Sequence, residues 1–62
     1  MAWFVVDVFS DIDMRYRIAA ETVEADASDQ ALVDVAVQYP HARTFRCLEI
    51  REKVAQRLRR KP

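Results

Sequence analysis

The sequence predicts a small α+β domain built on a three-stranded antiparallel sheet with the strand order 2-1-3. The segment Trp3–Phe9 is rich in β-branched and aromatic residues, which is typical of a strand. A helical pattern of apolar residues ends at Pro40 and a third alternating segment follows it. With 62 residues, 52% of them apolar, we expect one domain over residues 1–62. Its order is ββαβ, with one helix packed on one sheet face and a short, basic C-terminal helix or tail at residues 51–62.

The first two strands are predicted to form a hairpin. The first strand covers Trp3–Phe9, a turn begins at Ser10–Asp13, and the second strand runs over residues 16–25. A loop at Ser10–Met14 sets a register in which one face carries only apolar pairs. The pairs on that face are Val8 with Tyr16, Val6 with Ile18 and Phe4 with Ala20, and those on the other face are Asp7 with Arg17 and Phe9 with Arg15.

The remaining elements follow from capping signals and apolar spacing. Ser28 is a suitable N-cap for the first helix, Asp29 favours the positive end of its dipole, and Pro40 ends it. The third strand is predicted at Thr44–Ile50, and a second helix runs from Arg51 to about residue 60. The stripe of the first helix expected to pack on the hairpin comprises Ala31, Leu32, Val35, Ala36 and Tyr39. The apolar side of the second helix comprises Val54, Ala55 and Leu58.

The second face of the predicted sheet is also apolar. Trp3, Val5 and Phe9 point away from the helix-covered face, and one helix covers only one face of a sheet. Three candidates could cover this face: the C-terminal helix, a second copy of the chain, or a different macromolecule. Because the apolar stripe at Val54 and Leu58 is narrow, we expect a partner to complete the covering.

Residue content argues against catalysis and metal binding. The chain has one cysteine, one histidine and no glycine, which excludes glycine-dependent phosphate loops and an internal disulfide. We interpret Cys47 as a small buried apolar residue and His41 as a turn residue. Asp11 and Asp13 have the spacing that begins a calcium loop, but the glycine and the closing glutamate are missing. The expectation is a cytoplasmic, non-enzymatic protein with no cofactor, metal or membrane span.

The charges are divided along the chain. Residues 1–34 carry eight acidic and two basic side chains, whereas residues 35–62 carry eight basic and two acidic ones. Such a division can steer association with a charged partner. Basic residues near Trp3 and Phe9 also allow nucleic-acid binding by stacking on the sheet. The candidate contacts to nucleic acid or to an acidic partner are Arg51, Lys53, Arg57, Arg59 and Arg60.

The order of the elements carries a family resemblance. The chain opens with Trp3-Phe-Val-Val-Asp-Val-Phe9 and continues with Glu21-Thr-Val-Glu-Ala-Asp26. The helical segment Ser28-Asp-Gln-Ala-Leu32 and the strand Phe45-Arg-Cys-Leu-Glu-Ile50 follow. Over most of residues 2–50 this pattern resembles the smallest type I anti-CRISPR proteins, the phage-borne inhibitors of the Cascade complex.

The resemblance implies inhibition by occupancy in the cytoplasm of the host cell. Such a protein binds Cas subunits of Cascade and blocks recognition of target DNA without catalysing a reaction. The implied charged contacts are Asp7, Asp11, Asp13, Glu21 and Glu24, and the implied apolar anchors are Trp3 and Phe9. Two alternatives stay open: a small accessory or self-associating subunit, such as a homodimer, and a nucleic-acid-binding module that uses the sheet as its platform.

Overall fold

A computed structural model describes residues 1–60. The elements are β1 (Ala2–Phe9), β2 (Arg17–Ala25), α1 (Ser28–Ala36), β3 (Thr44–Ile50) and α2 (Glu52–Arg59). The three strands form one antiparallel sheet in the order β2-β1-β3, which confirms the predicted fold class. The last two residues of the predicted basic tail lie outside the described residues.

The apolar core lies between β1 and α1. Phe4, Val6 and Val8 of β1 are buried beneath Ala31 and Val35 of α1, and Val6 and Val8 are fully buried. Leu32 and Tyr39 pack against the rim of this cluster. The predicted apolar stripe is therefore confirmed for these four residues, because residues three and four apart share one side of a helix, whereas Ala36 lies outside the cluster.

The predicted hairpin register is wrong by three residues. Val8 pairs with Ala19, and Phe4 pairs with Val23. An odd shift moves every β2 side chain to the opposite face, so Tyr16 and Ile18 are exposed rather than buried. The physical reason lies in the loop, where the backbone N–H of Ser10 donates to the carbonyl of Tyr16 at 3.0 Å. That bond closes a longer loop than the predicted one.

An irregularity in β2 restores one predicted contact. Val8 pairs with Ala19, but Phe9 pairs with Arg17, so one extra residue is inserted in β2. Such a bulge changes which face the following residue occupies. Arg17 consequently reaches Asp7, with a 3.5 Å distance between Nη1 and Oδ1, as predicted for this pair of opposite charges.

The N-terminus of α1 lies one residue earlier than predicted. Ala27, not Ser28, is the N-cap, with φ −150° and ψ 161°, and no side chain caps the helix. The carbonyl of Ala27 accepts the first helical bond from the N–H of Ala31 at 3.1 Å, so the Ser28 cap was a wrong prediction. At the other end the helix tightens, because the N–H of Tyr39 donates to the carbonyl of Ala36, and the chain leaves the helix before Pro40.

The C-terminal helix covers part of the second sheet face. α2 contacts β1 and β2, and its Ala55 is fully buried. The guanidinium carbon of Arg59 lies 5.1 Å from the centroid of the Trp3 ring. Of the three covers considered for this face, the chain's own helix is the one that lies at Trp3, although Val54 and Leu58 of its predicted apolar side are 38% and 56% exposed. The expectation that a partner completes the covering stays a prediction.

Candidate protein-binding surface

Asp7 lies at the centre of the second sheet face and is enclosed by two arginines. Arg46 of β3 donates from Nε and Nη2 to Asp7 Oδ2 at 3.1 and 2.8 Å, while Arg17 of β2 approaches the other oxygen. The Asp7 side chain is 6% exposed, against 60% and 51% for Arg17 and Arg46. The carboxylate is thus satisfied within the chain, which corrects its predicted availability to a partner.

Phe9 is buried beside this ion pair. Its ring is covered by Arg46, whose guanidinium carbon lies 5.7 Å from the ring centroid, and only 4% of the residue is exposed. The expectation that Phe9 is an exposed anchor is therefore wrong, because the guanidinium of Arg46 lies over its ring. Trp3 is half-buried under Arg59, so the predicted open aromatic platform for stacked bases is not formed.

Asp11 organises the loop between β1 and β2. Its carboxylate accepts the backbone N–H of Arg15 at 3.1 Å and that of Tyr16 at 3.0 Å. Met14 has a φ of 59°, a left-handed conformation that is costly for a side chain of this size. Desolvation raises the pKa of Asp11, but the N–H donors outweigh it and lower the pKa below its ordinary value. The charged carboxylate therefore holds the loop in one shape.

This ordered loop presents apolar side chains to solvent. We define the hairpin tip as four residues with their exposed fractions: Ile12 (71%), Met14 (43%), Tyr16 (67%) and Ile18 (53%). Arg15 and Arg17 alternate with them and are exposed too. Aromatic residues, methionine and arginine are the types enriched at protein interfaces. Sequence reasoning missed this surface because the predicted register placed Tyr16 and Ile18 in the core, although Ile12 and Met14 beside Asp13 were a usable signal.

The other predicted acidic contacts do not gather into one site. Glu21 faces α1 and accepts a hydrogen bond from the Tyr39 hydroxyl at 2.7 Å, which raises the pKa of Tyr39. Glu24 pairs with Trp3 at one end of the sheet, whereas Asp13 lies in the loop at the opposite end. Glu24 and Asp13 are exposed, and their roles in binding stay predictions.

The predicted basic contacts separate into different environments. Arg59 lies over Trp3, and Arg51 is the N-cap of α2 with an extended backbone. A shallow depression of about 290 Å³ is lined by Lys53, Gln56, Arg57 and Arg60. Three of the five predicted residues thus share one surface.

A second apolar surface runs between α1 and the outer side of β3. Leu32, Val33 and Ala36 form one wall of a groove of about 440 Å³, and Thr44 and Phe45 form the other, with Arg43 at its rim. Within residues 1–60 the outer edge of β3 pairs with no strand. Sheet edges of this kind can accept an added strand.

Cys47 lies on the core side of β3. Its Sγ is 4.0 Å from the carbonyl oxygen of Ser28, and burial raises the pKa of the thiol. Because the thiolate is the reactive form, this environment disfavours a nucleophilic role. His41 is exposed in the turn before β3.

No protein-family model, curated protein or solved structure matches the chain. Among residues 1–60, no group of three or more His, Cys, Asp or Glu side chains has the arrangement of a metal site. Neither described helix has the length and apolar character that crossing a bilayer requires.

Proposed function

We propose that this protein is a non-enzymatic binding protein that docks on a protein partner through the hairpin tip. The observation that carries the proposal is the loop held by Asp11, which keeps Ile12, Met14 and Tyr16 exposed in a fixed shape. A loop that is ordered before binding loses little conformational entropy on binding. The tip therefore has the composition and the order of a binding surface.

The energetics favour a protein partner for the tip. Burying one large apolar side chain contributes about 1.5–3 kcal/mol. A few such residues at the centre of an interface dominate binding. Arg15, which is exposed next to Tyr16, can pair with an acidic group at the rim of such an interface.

As the specific partner we propose Cas subunits of a type I Cascade complex, in the cytoplasm of a host cell. The support is the resemblance in element order to small anti-CRISPR proteins, together with an exposed apolar tip beside Asp13. By occupying a Cas subunit, the protein would block recognition of target DNA without chemistry. Asp13 would meet the basic residues that line a nucleic-acid channel.

The test measures binding of the purified chain to several type I Cascade complexes. The variant Ile12→Ser/Tyr16→Ser removes two apolar members of the tip, and we expect at least about a tenfold loss of affinity. Val37→Ser/Leu58→Ser is the matched control, because these side chains are 73% and 56% exposed but lie elsewhere. Failure of the unaltered chain to bind any complex removes Cascade as the partner, and equal losses in both variants remove the tip as the site.

The groove beside β3 favours a second candidate function, that of a self-associating subunit. An unpaired strand edge next to an apolar groove can pair with the same edge of another copy. Sedimentation equilibrium of the unaltered chain would then show a dimer that Val33→Asp dissociates and Val37→Asp does not. A monomer over the whole accessible concentration range rejects this candidate.

A further inference from the structure

The outward side of α2 is a basic surface that the proposed function does not use. Ala55 is fully buried and Arg59 lies over Trp3, so this side of the helix faces the sheet. At 100° per residue, Lys53, Arg57 and Arg60 fall on the opposite side. We call these three residues and Gln56, which line one depression, the basic face of α2.

The composition of this surface differs from that of the hairpin tip. The depression of about 290 Å³ is lined by Lys53, Gln56, Arg57 and Arg60, with no apolar residue among them. Protein interfaces have apolar and aromatic centres and are depleted in lysine. Phosphate backbones, in contrast, bind to positive charge alone. The basic face of α2 therefore fits a polyanion with regular phosphates better than it fits a protein.

The charges of the basic face are not engaged by described acidic groups. The described ion pairs join Arg17 and Arg46 to Asp7, and none within residues 1–60 involves the basic face. The helix dipole accounts for arginines in the last turn, but it disfavours Lys53 near the N-terminus of α2. A structural role in the helix thus leaves Lys53 unexplained, whereas a ligand for the whole face explains it.

We infer that the basic face of α2 binds the phosphate backbone of a nucleic acid without reading its sequence. Lys53 and Arg57 are one turn apart, about 6 Å along the axis, so both can contact neighbouring phosphates of one strand. This interaction is separate from the hairpin tip and does not depend on the protein partner proposed for it. Three neutralised phosphates give a slope of log affinity against log salt of about −2 on single strands and about −2.7 on duplexes.

The test is fluorescence anisotropy of labelled single-stranded and duplex oligonucleotides of two unrelated sequences, titrated at increasing salt. The variant Lys53→Gln/Arg57→Gln removes two charges from the basic face, and we expect about a tenfold or greater loss of affinity at low salt. On single strands, the slope of log affinity against log salt should become shallower for this variant and change from about −2 to about −0.7. Arg15→Gln/Arg43→Gln is the matched control, because it removes two exposed charges at other places and should bind as the unaltered chain does.

Three results overturn the inference. Equal weakening by both double variants would mean that net charge, not the basic face, drives binding. Absence of binding to either oligonucleotide form at low salt removes the site. Competition by polyglutamate as strong as that by an oligonucleotide of equal length would identify an acidic polypeptide as the ligand instead. Circular dichroism of each variant confirms that the exposed substitutions leave the fold intact.

Discussion

The two faces of the sheet are closed by different chemistry. On one face, Val6 and Val8 are fully buried under the aliphatic stripe of α1. On the other face, Asp7 and Phe9 are each only 4% exposed, although no helix with a wide apolar stripe covers them. Their cover there includes the arginine side chains that reach over from β2 and β3.

The difference shows how a short chain can enclose a central strand with few apolar residues. The guanidinium of Arg46 lies over the ring of Phe9 and also binds the Asp7 carboxylate, so one charged group contacts both residues. Because Arg17 and Arg46 are themselves more than half exposed, solvent weakens their hold on Asp7. We therefore expect the α1 side to carry most of the stability.

The largest expected effect tests the face that α1 covers. Phe4→Ala should cost about 3–5 kcal/mol, because it removes a buried ring and leaves a cavity under α1. A domain of this size has a total stability of about 0.05–0.15 kcal/mol per residue, so much of the population should unfold. Urea denaturation, monitored by circular dichroism, measures this loss in the free energy of unfolding.

A smaller change at the same position is a control in case Phe4→Ala does not fold. Phe4→Leu removes less volume and should fold with a smaller loss of stability. If Phe4→Leu is as damaging as Phe4→Ala, the shape of the aromatic ring rather than the buried area determines packing on this face. A near-neutral Phe4→Ala would contradict the assignment of the main core to this side.

The intermediate expected effect tests the arginine-covered face. Asp7→Ala should cost about 1–3 kcal/mol, since it removes charge-assisted hydrogen bonds but leaves arginines that water can solvate. Asp13→Ala, an exposed acidic residue in the loop, is the control and should change stability by less than about 0.5 kcal/mol. Chemical denaturation gives the free energy of unfolding of each variant. A larger loss for Asp7→Ala than for Phe4→Ala would mean that the arginine-covered face contributes more to stability than the face under α1.

The sequence predicted the elements because each had a strong local signal. The alternation in β1 and β3 and the spacing of Ala31, Leu32 and Val35 in α1 are short-range patterns. The hairpin register depended instead on how Asp11 folds the loop through backbone N–H groups. Pairing rules alone favoured a shorter loop, since they placed Tyr16 and Ile18 in the core.

The candidate surface was harder to predict than the fold. Apolar alternation placed Trp3 and Phe9 on the second face, but it carries no information on whether Arg46 and Arg59 lie over them. Side chains from distant parts of the chain decide that exposure. The same applies to Glu21, whose acidic character suggested a partner but whose hydrogen bond to Tyr39 is internal.

The smallest expected effect concerns the Trp3 end of the second face. Arg59→Ala removes the cation above the indole and should cost about 0.5–1 kcal/mol. Trp3 is the only tryptophan, so its emission reports this contact without overlap, and it should shift to longer wavelength as water reaches the ring. Arg57→Ala is the matched control, because that residue lies on the outward side of the same helix and should leave the emission unchanged. Equal shifts in both variants would mean that Ala55 and the helix as a whole, rather than one arginine, protect the indole.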